Sequence, residues 1–160
     1  MTDLRFVVPT RPLCEAVASR LRPEECVEVR AASNDSPLDA VLRGYLNSQF
    51  CRVALIGGEP LCIFGMRREN WYWHRGWLLG TDAVPKHRMT FLRKSRELLP
   101  LVLRRYPHVR NWCDASYMKS LKWLEWLGFT VNAPEAYGAQ GLAFCRLEIH
   151  LNGDENAWAE

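Results

Sequence analysis

Apolar residues along the chain change their spacing at two places, and these changes divide it into helical and extended parts. Between residues 12 and 46 they recur every three or four positions, which predicts amphipathic helices. Between residues 50 and 83 three compact apolar runs follow instead, and Gly57-Gly58 separates the first two, Phe50–Ile56 and Leu61–Met66. Two adjacent glycines between β-rich runs predict a hairpin. The third run, Gly76–Ala83, predicts another strand.

The helical spacing returns after Pro85 and continues for about twenty residues, which predicts a long helix. Pro100 lies inside it, and because proline has no amide hydrogen we expect it to kink or divide the helix near Arg96. A further helix, Ser116–Leu127, is followed by Gly128, which suits a left-handed cap. The remaining β-rich runs are Leu4–Val8, Val109–Asp114, Phe129–Val131 and Ala143–Ile149, with a turn-rich segment at 132–141.

This order of elements predicts an α/β (α+β) domain with helices on both faces of a mixed, mostly antiparallel sheet of about seven strands. The length of 160 residues and the apolar share of 48% suit a single domain, which we place at residues 1–150, followed by an acidic tail at 151–160. No apolar run approaches the ~20 residues that cross a bilayer, and the first residues lack the apolar core of a signal peptide. We therefore expect a cytoplasmic protein without a membrane segment.

The six cysteines do not have the spacing of a metal site. None lie two residues apart, and no histidine pair has the spacing of zinc ligands, so we expect no bound metal. Most of the cysteines have apolar neighbours, which is typical of reduced thiols that pack as small hydrophobic side chains.

Positive charge is concentrated in one segment although the net charge is only +3. Lys86–Arg110 contains eight Lys or Arg and a single acid, Glu97. Such a run forms either a solvated helix face or an anion-binding surface, nucleic acid included. A second cluster, Trp71–Arg75, mixes aromatic and cationic side chains. Core packing, a protein interface and base stacking are all open to it.

Several stretches of sequence resemble one family. The stretch SLKWLEWLGF, which begins at Ser120, is similar to the last helix and following turn of the GNAT N-acetyltransferase superfamily. The order of elements is also that of the superfamily. The chain further resembles the GNAT-like internal virion protein (internal virion protein A) family of short-tailed phages and prophages over about residues 28–146. That resemblance rests on RAAS from Arg30, GEPLCIFG from Gly58, WLLGTD from Trp77, HRMTFLRKS from His87 and WLEWLGFTV from Trp123.

The resemblance implies a site for acetyl-CoA, whose pyrophosphate GNAT proteins hold with the backbone amides of a glycine-containing loop before the long helix. The matching loop here, residues 83–89, has no glycine, and Pro85 lacks an amide hydrogen. Cationic side chains could replace the missing amides, or they could simply lie on an exposed first turn. Acetyl-CoA is thus implied as a ligand but not as a requirement. The candidate cofactor-binding residues are Val84, Lys86, His87, Arg88 and Met89.

The resemblance also implies where catalytic groups would lie. The family's cofactor-contacting Asn corresponds to Tyr117, and its proton-donating Tyr corresponds to Leu124, which cannot donate a proton. Tyr117 is a candidate for a displaced acid, or else it caps the core. The candidate bases are Asp82 and Asp114, each with an alternative role in a turn or helix cap. These departures favour a site that has lost acyl transfer.

Three functions remain open at this stage. The favoured one is a non-enzymatic phage component that contacts other virion proteins, first in the host cytoplasm during assembly and then in the virion interior. The second is a working N-acetyltransferase that modifies an amine of a small molecule or protein. The third is nucleic-acid contact through residues 86–110. Self-association and the acceptor substrate are left open.

Overall fold

The computed structural model describes residues 3–151, which form eight strands and six helices. The strands are β1 Leu4–Val7, β2 Phe50–Ile56, β3 Glu59–Arg68, β4 His74–Gly80, β5 His108–Asp114, β6 Thr130–Val131, β7 Glu135–Tyr137 and β8 Leu142–His150. The helices are α1 Arg11–Ser19, α2 Pro23–Ser33, α3 Pro37–Asn47, α4 Ala83–Lys86, α5 Arg88–Arg105 and α6 Met118–Leu127.

All eight strands join one sheet, in the order β1-β2-β3-β4-β5-β8-β6, with β7 also paired to β8. Neighbouring strands are antiparallel except β4 and β5, which are parallel. The predicted mixed, mostly antiparallel sheet is therefore confirmed. The additional strand is β7, which lies in the segment 132–141 that we expected to be turns. It is short, and only its pairing with β8 makes it a strand.

The helices cover both faces of the sheet. Adjacent residues of a strand point to opposite faces, and Val53 and Ala54 in β2 belong to different packing clusters. Val53 packs with residues of α1, α2 and α3, whereas Ala54 packs with Val84 of α4 and Phe91 of α5. Leu121 of α6 lies in a cluster beside β5 and β8. The two helix layers therefore enclose the sheet.

Local signals in the sequence place the ends of several elements. The Thr10 and Ser36 side chains accept hydrogen bonds from the third helical amides of α1 and α3, at 3.3 and 3.2 Å. A proline follows within the first turn of each helix, where its missing amide hydrogen costs nothing. Gly57 and Gly58 have φ values of 56° and 78°, as a tight hairpin turn requires.

The start and middle of the long helix differ from the prediction. A short helix, α4, comes first, and the chain breaks at His87 with φ −120° and ψ 36° before α5 begins. Pro100 does not divide α5, which runs unbroken through it. Pro100 and Arg96 are both exposed, so water can bond to the Arg96 carbonyl that has no amide partner.

The bounds of two elements differ from the predicted ones. β4 begins at His74 and ends at Gly80, so it is shifted from the predicted 76–83, and α6 begins two residues later than expected.

Five of the six cysteines are buried, in keeping with a packing role. No helix within 3–151 is long and apolar enough to span a membrane. The acidic tail predicted at 151–160 lies outside the described residues except for Leu151.

Candidate active site

The two parallel strands in the middle of the sheet separate along their length. β4 and β5 pair only at His74 with Val109 and at Arg75 with Arg110. Beyond these pairs β4 continues to residue 80 and β5 to residue 114 without a ladder between them. Residues 76–80 of β4 and residues 111–114 of β5 are therefore separated by an opening in the sheet, which we call the gap.

One side chain bridges the narrow end of the gap. The Asn111 amide nitrogen donates to the Gly76 carbonyl oxygen at 2.6 Å. A Cβ on Gly76 would lie 2.8 Å from a methyl carbon of Val109, so glycine is needed where the strands begin to diverge. These contacts hold the two strands at a fixed separation on the side where the ladder ends.

Two glutamates of α2 lie at the wide end of the gap, one against each strand. Glu25 accepts a hydrogen bond from the Gly80 amide at 3.2 Å, and Glu28 accepts one from the Asp114 amide at 3.0 Å. Because they are three residues apart, both lie on the same face of the helix. Backbone amides that lack a strand partner need an acceptor when buried, and the two carboxylates, here called the Glu pair, supply it.

Burial shifts the proton affinity of the Glu pair. Loss of hydration and the neighbouring Glu25 carboxylate raise the pKa of Glu28 to about 7, although the Asp114 amide opposes this. Burial also raises the pKa of Glu25, against the Arg22 guanidinium that lies 2.6 Å from its carboxylate. Glu28 can therefore exchange a proton near neutral pH, which is the property required of a general base.

A cavity of about 220 Å³ continues from the gap into the layer between the sheet and helices α5 and α6. Its polar lining includes Glu28 and Asn111, while most of the other lining residues are apolar. Trp123 of α6 also lines it, and the indole nitrogen of Trp123 is buried without an acceptor among residues 3–151. A buried donor without an acceptor is unfavourable by about 1–3 kcal/mol, and a ligand with a carbonyl group would satisfy it.

The predicted base Asp82 is engaged elsewhere. Its carboxylate, with the side chain 59% exposed, accepts two hydrogen bonds from Arg20, at 2.7 and 3.0 Å. Arg20 in turn pairs with Glu59. Asp82 thus forms part of a surface ion network at the end of β4, and it is not among the residues that line the cavity.

The other two predicted catalytic residues lie at the end of β5 and three residues after it, and neither is among the residues that line the cavity. Asp114 is buried, and its carboxylate accepts hydrogen bonds from the amide and the hydroxyl of Ser116, at 2.8 and 2.7 Å, which is the cap-like role we considered. Tyr117 is also buried and lies 5.9 Å from the Arg22 guanidinium. Burial and the Glu25 carboxylate raise the pKa of its phenol, so it stays protonated at neutral pH.

Most hydrogen-bonding groups of the loop expected to hold pyrophosphate already contact other groups of the protein. The Val84 amide donates to the Thr81 carbonyl, and the His87 amide donates to carbonyls within α4. The Lys86 ammonium lies 3.4 Å from Glu59, and the His87 ring lies 3.9 Å from the same carboxylate. Val84 is buried in the core and Lys86 is exposed.

Arg88 and Met89, the other two predicted cofactor residues, occupy the first turn of α5 and are exposed. The first amides of a helix have no partner within the helix, and the aligned peptide dipoles make that end attractive to anions. These two residues are therefore the part of the predicted loop that a phosphate could reach.

The Glu pair was missed in the sequence. A signal did exist for Glu25, which lies four residues before the apolar Val29 and therefore on the same helix face. That they would lie at the gap could not be foreseen, since it depends on how β4 and β5 diverge.

No family model matches the chain, and no curated protein matches it in sequence. Solved structures do match. A GNAT-family acetyltransferase from Bacillus anthracis superposes with a TM-score of 0.67 at 9% identity, over 92% of this chain and 95% of the other. The Bacillus subtilis acetyltransferase solved with CoA has a TM-score of 0.62 at 12% identity, over 94% and 99%. The Salmonella typhimurium protein yncA, solved with acetyl-CoA, has a TM-score of 0.60 at 15% identity, over 94% and 95%.

These similarities define the class of the fold. GNAT acetyltransferases match this chain over nearly its whole length. The match includes the sheet in which β4 and β5 separate and the long helix that follows β4. The chain therefore has the GNAT fold, as the sequence motifs led us to expect. At these levels of identity the likeness establishes the fold and leaves the activity to be argued from the site.

Proposed function

We propose that this protein binds a coenzyme A thioester in the gap and transfers its acyl group to an amine. The observation that carries the proposal is the gap itself, which opens on one side into the cavity and on the other to Glu28. Two of the similar structures were solved with CoA or acetyl-CoA, which supports a ligand of this class.

The residues present fit the pantetheine part of such a ligand. Pantetheine is an extended chain with two amide groups, and the divergent strands have backbone groups that are not paired with each other. The Trp123 indole nitrogen is a further donor in need of an acceptor. The phosphates would be held by the first turn of α5, where Arg88 offers a cationic side chain. The fit to the phosphates is weaker than the fit to pantetheine, because the loop at residues 83–89 has no glycine.

The side chains at the gap can manage the protons of an acyl transfer. A bound thioester would supply an activated acyl group. Glu28, with a pKa of about 7, would take a proton from the amine as its nitrogen bonds to the thioester carbon and the carbon–sulfur bond breaks. Tyr117 holds a proton that the departing thiolate can accept. Proton return from Glu28 to Tyr117 through solvent would restore both groups.

Binding is tested first, by calorimetry and by thermal unfolding with CoA and acetyl-CoA. A ligand at one hundred times its dissociation constant stabilises the fold by about 2.7 kcal/mol. The absence of any heat and any shift in Tm at millimolar CoA would refute the proposal.

Transfer is tested by thiol release from acetyl-CoA in the presence of a panel of amines. Glu28→Gln should lower the rate about 100-fold or more, because a glutamine cannot accept the proton, while CoA affinity stays unchanged. Glu24→Gln, an exposed acid one turn away on α2, is the matched control and should match the wild type. Equal loss in both variants would contradict the role of Glu28.

The phosphate end of the site has its own test. A Lys86→Ala/Arg88→Ala double variant should weaken CoA binding about tenfold if these cations contact phosphate. Because Lys86 already lies beside Glu59, we expect most of the effect from Arg88→Ala alone. An unchanged dissociation constant in the double variant would remove both side chains from the site.

A second candidate function is a virion or morphogenesis component with a degenerate cofactor site, as the phage resemblance implies. The observation in its favour is the phosphate loop, where Val84, Lys86 and His87 are occupied by contacts within the protein. Trp71, whose residue surface is 83% exposed, offers an anchor for a protein partner. Mass spectrometry of purified particles of the encoding phage tests it, and absence from the particle would count against this role.

Nucleic-acid contact through residues 86–110 has less support, because several cations of this segment already contact groups of the protein. Lys94 pairs with Glu97 at 2.9 Å, Arg110 pairs with Glu69 at 2.7 Å, and the Arg96 guanidinium lies 4.0 Å from the Trp126 ring centre. Binding of random DNA that weakens steeply with salt would restore this alternative.

A further inference from the structure

The cavity extends well beyond the gap, across the face of the sheet that α5 covers. Its lining reaches Ala54 of β2 and Phe6 of β1, the strand at the edge of the sheet. Three strand spacings separate β1 from β4, which is about 14 Å. Phe6 is partly exposed, with 41% of its surface accessible, so this part of the cavity approaches the protein surface at its far end.

This extension is apolar. On the strands it is lined by Leu4, Phe6, Ala54 and Phe64, and on α5 by Leu98 and Leu99; we call it the apolar arm. The rings of Phe6 and Phe64 pack edge to face at 5.9 Å, which forms one wall. The lining side chains that bear charge or hydrogen-bonding groups are Glu28, Trp77, Lys94, Ser95, Asn111, Trp112, Ser120 and Trp123. Two of them, Lys94 and Ser95, lie on α5 one turn before Leu98 and Leu99. Both already have partners within the helix, because the Lys94 ammonium pairs with Glu97 at 2.9 Å and the Ser95 hydroxyl donates to the Phe91 carbonyl at 2.7 Å.

The polar part of a coenzyme A thioester does not suit the arm. Pantetheine amides and phosphates need hydrogen-bonding partners, and burying them against hydrocarbon without partners would be strongly unfavourable. An alkyl chain gains free energy in the same place. The arm is continuous with the gap, where the proposed function puts the thioester carbon, so a chain attached to that carbon can reach it.

We propose that the apolar arm binds the acyl chain of a medium-chain coenzyme A thioester, so that the preferred donor is longer than acetyl. This inference rests on the proposed function and specifies its donor substrate. An apolar cavity of 150 Å³ accommodates benzene, or roughly 25 Å³ per carbon. By that measure about 220 Å³ holds roughly eight or nine carbons, and part of the space is needed for pantetheine. Acyl groups of up to roughly eight carbons are therefore the expected range.

The expected gain in affinity is large enough to measure. Full burial of one methylene strengthens binding up to roughly fourfold. Octanoyl-CoA carries six methylenes more than acetyl-CoA. Since ordering the chain offsets part of the gain, we expect octanoyl-CoA to bind at least about 100-fold more tightly than acetyl-CoA, with no further gain beyond about eight carbons.

The test is calorimetry on the full chain with CoA and with acetyl-, hexanoyl-, octanoyl-, decanoyl- and palmitoyl-CoA. Leu98→Trp adds bulk on the side of α5 that lines the arm, whereas Leu101→Trp makes the same change three residues on, where the side chain is 56% exposed and does not line the cavity. Leu98→Trp should reduce octanoyl-CoA binding to the level of acetyl-CoA and leave CoA binding unchanged. Leu101→Trp should behave as the wild type.

The outcomes separate this inference from the proposed function. If no thioester and no CoA binds, the proposed function fails and the inference with it. If CoA and acetyl-CoA bind but affinity does not rise with chain length in the wild-type protein, only the inference fails. A rise that Leu98→Trp and Leu101→Trp leave equally intact indicates adsorption to another surface, which also overturns it. The wild-type series decides the matter even if Leu98→Trp does not fold.

Discussion

Replacing Glu28 by glutamine should stabilise the protein, and by an amount that depends on pH. The glutamine oxygen can still accept the hydrogen bond from the Asp114 amide, so the contact at the wide end of the gap is preserved. What disappears is the ionisation of a buried carboxyl. A stabilising substitution at the proposed base is a distinctive expectation, because most substitutions of buried residues are destabilising.

The magnitude follows from the proton affinity. The pKa of Glu28 rises from its ordinary 4.5 to about 7 on folding. At about 1.4 kcal/mol for each tenfold change in proton affinity, this corresponds to about 3 kcal/mol. Because the folded-state pKa is raised, the neutral carboxyl contributes this stability fully below pH 4.5, and the contribution is lost as the pH rises through 7. Glu28→Gln should therefore exceed the wild type by about 1 kcal/mol at pH 5 and about 3 kcal/mol at pH 8.

Urea unfolding of the two proteins at pH 5, 6, 7 and 8 measures this difference, provided that the m-values agree. Glu24→Gln is the control, since Glu24 is exposed on the same helix and the same substitution there removes no buried carboxyl. Parallel stability curves for the wild type and Glu28→Gln across this range would refute the argument that burial governs the ionisation of Glu28.

Three further predictions concern stability and can be checked by the same unfolding measurements. Asn111→Ala should lower the free energy of unfolding by about 1 kcal/mol, because the carbonyl of the half-buried Gly76 loses its donor at the narrow end of the gap; an unchanged value would mean that water replaces the donor. Gly65→Ala should cost about 1–3 kcal/mol, since a Cβ there would lie 2.7 Å from the Phe50 carbonyl oxygen, and a neutral result would show that the strands can shift. Ser36→Ala should cost about 1 kcal/mol through loss of the α3 cap, whereas a loss below a few tenths would mean that the cap contributes little.

The parts of the fold that could be predicted are those set by local chemistry. Ser36 before a proline marks the start of α3, and Gly57-Gly58 marks a hairpin, because each requirement is met within a few residues. The strand β7 could not be found this way. Its three residues carry little pattern, and its position depends on contacts distant in sequence, such as the stacking of Tyr137 on Trp112 at 4.2 Å.

The candidate site was predicted less well than the fold, for a related reason. Motif matching led to the loop at 83–89, which is a contiguous stretch of chain. The gap arises instead where the pairing of two distant strands ends, and the Glu pair approaches it from a helix fifty residues earlier than β4. The local sequence around Glu28 does not indicate that this side chain accepts a hydrogen bond from the buried amide of Asp114.

The Glu pair also bears on whether the site is active or merely structural. A structural role, satisfying the amides at the ends of two divergent strands, is served equally well by glutamine, which accepts the same hydrogen bond and does not ionise. A glutamate in that place carries a penalty of about 3 kcal/mol above neutral pH, a large part of the 5–15 kcal/mol by which domains are usually stable. Hydrogen bonding to the Asp114 amide therefore does not account for a carboxyl at position 28. The proposed function would account for it, because a general base must accept and release a proton.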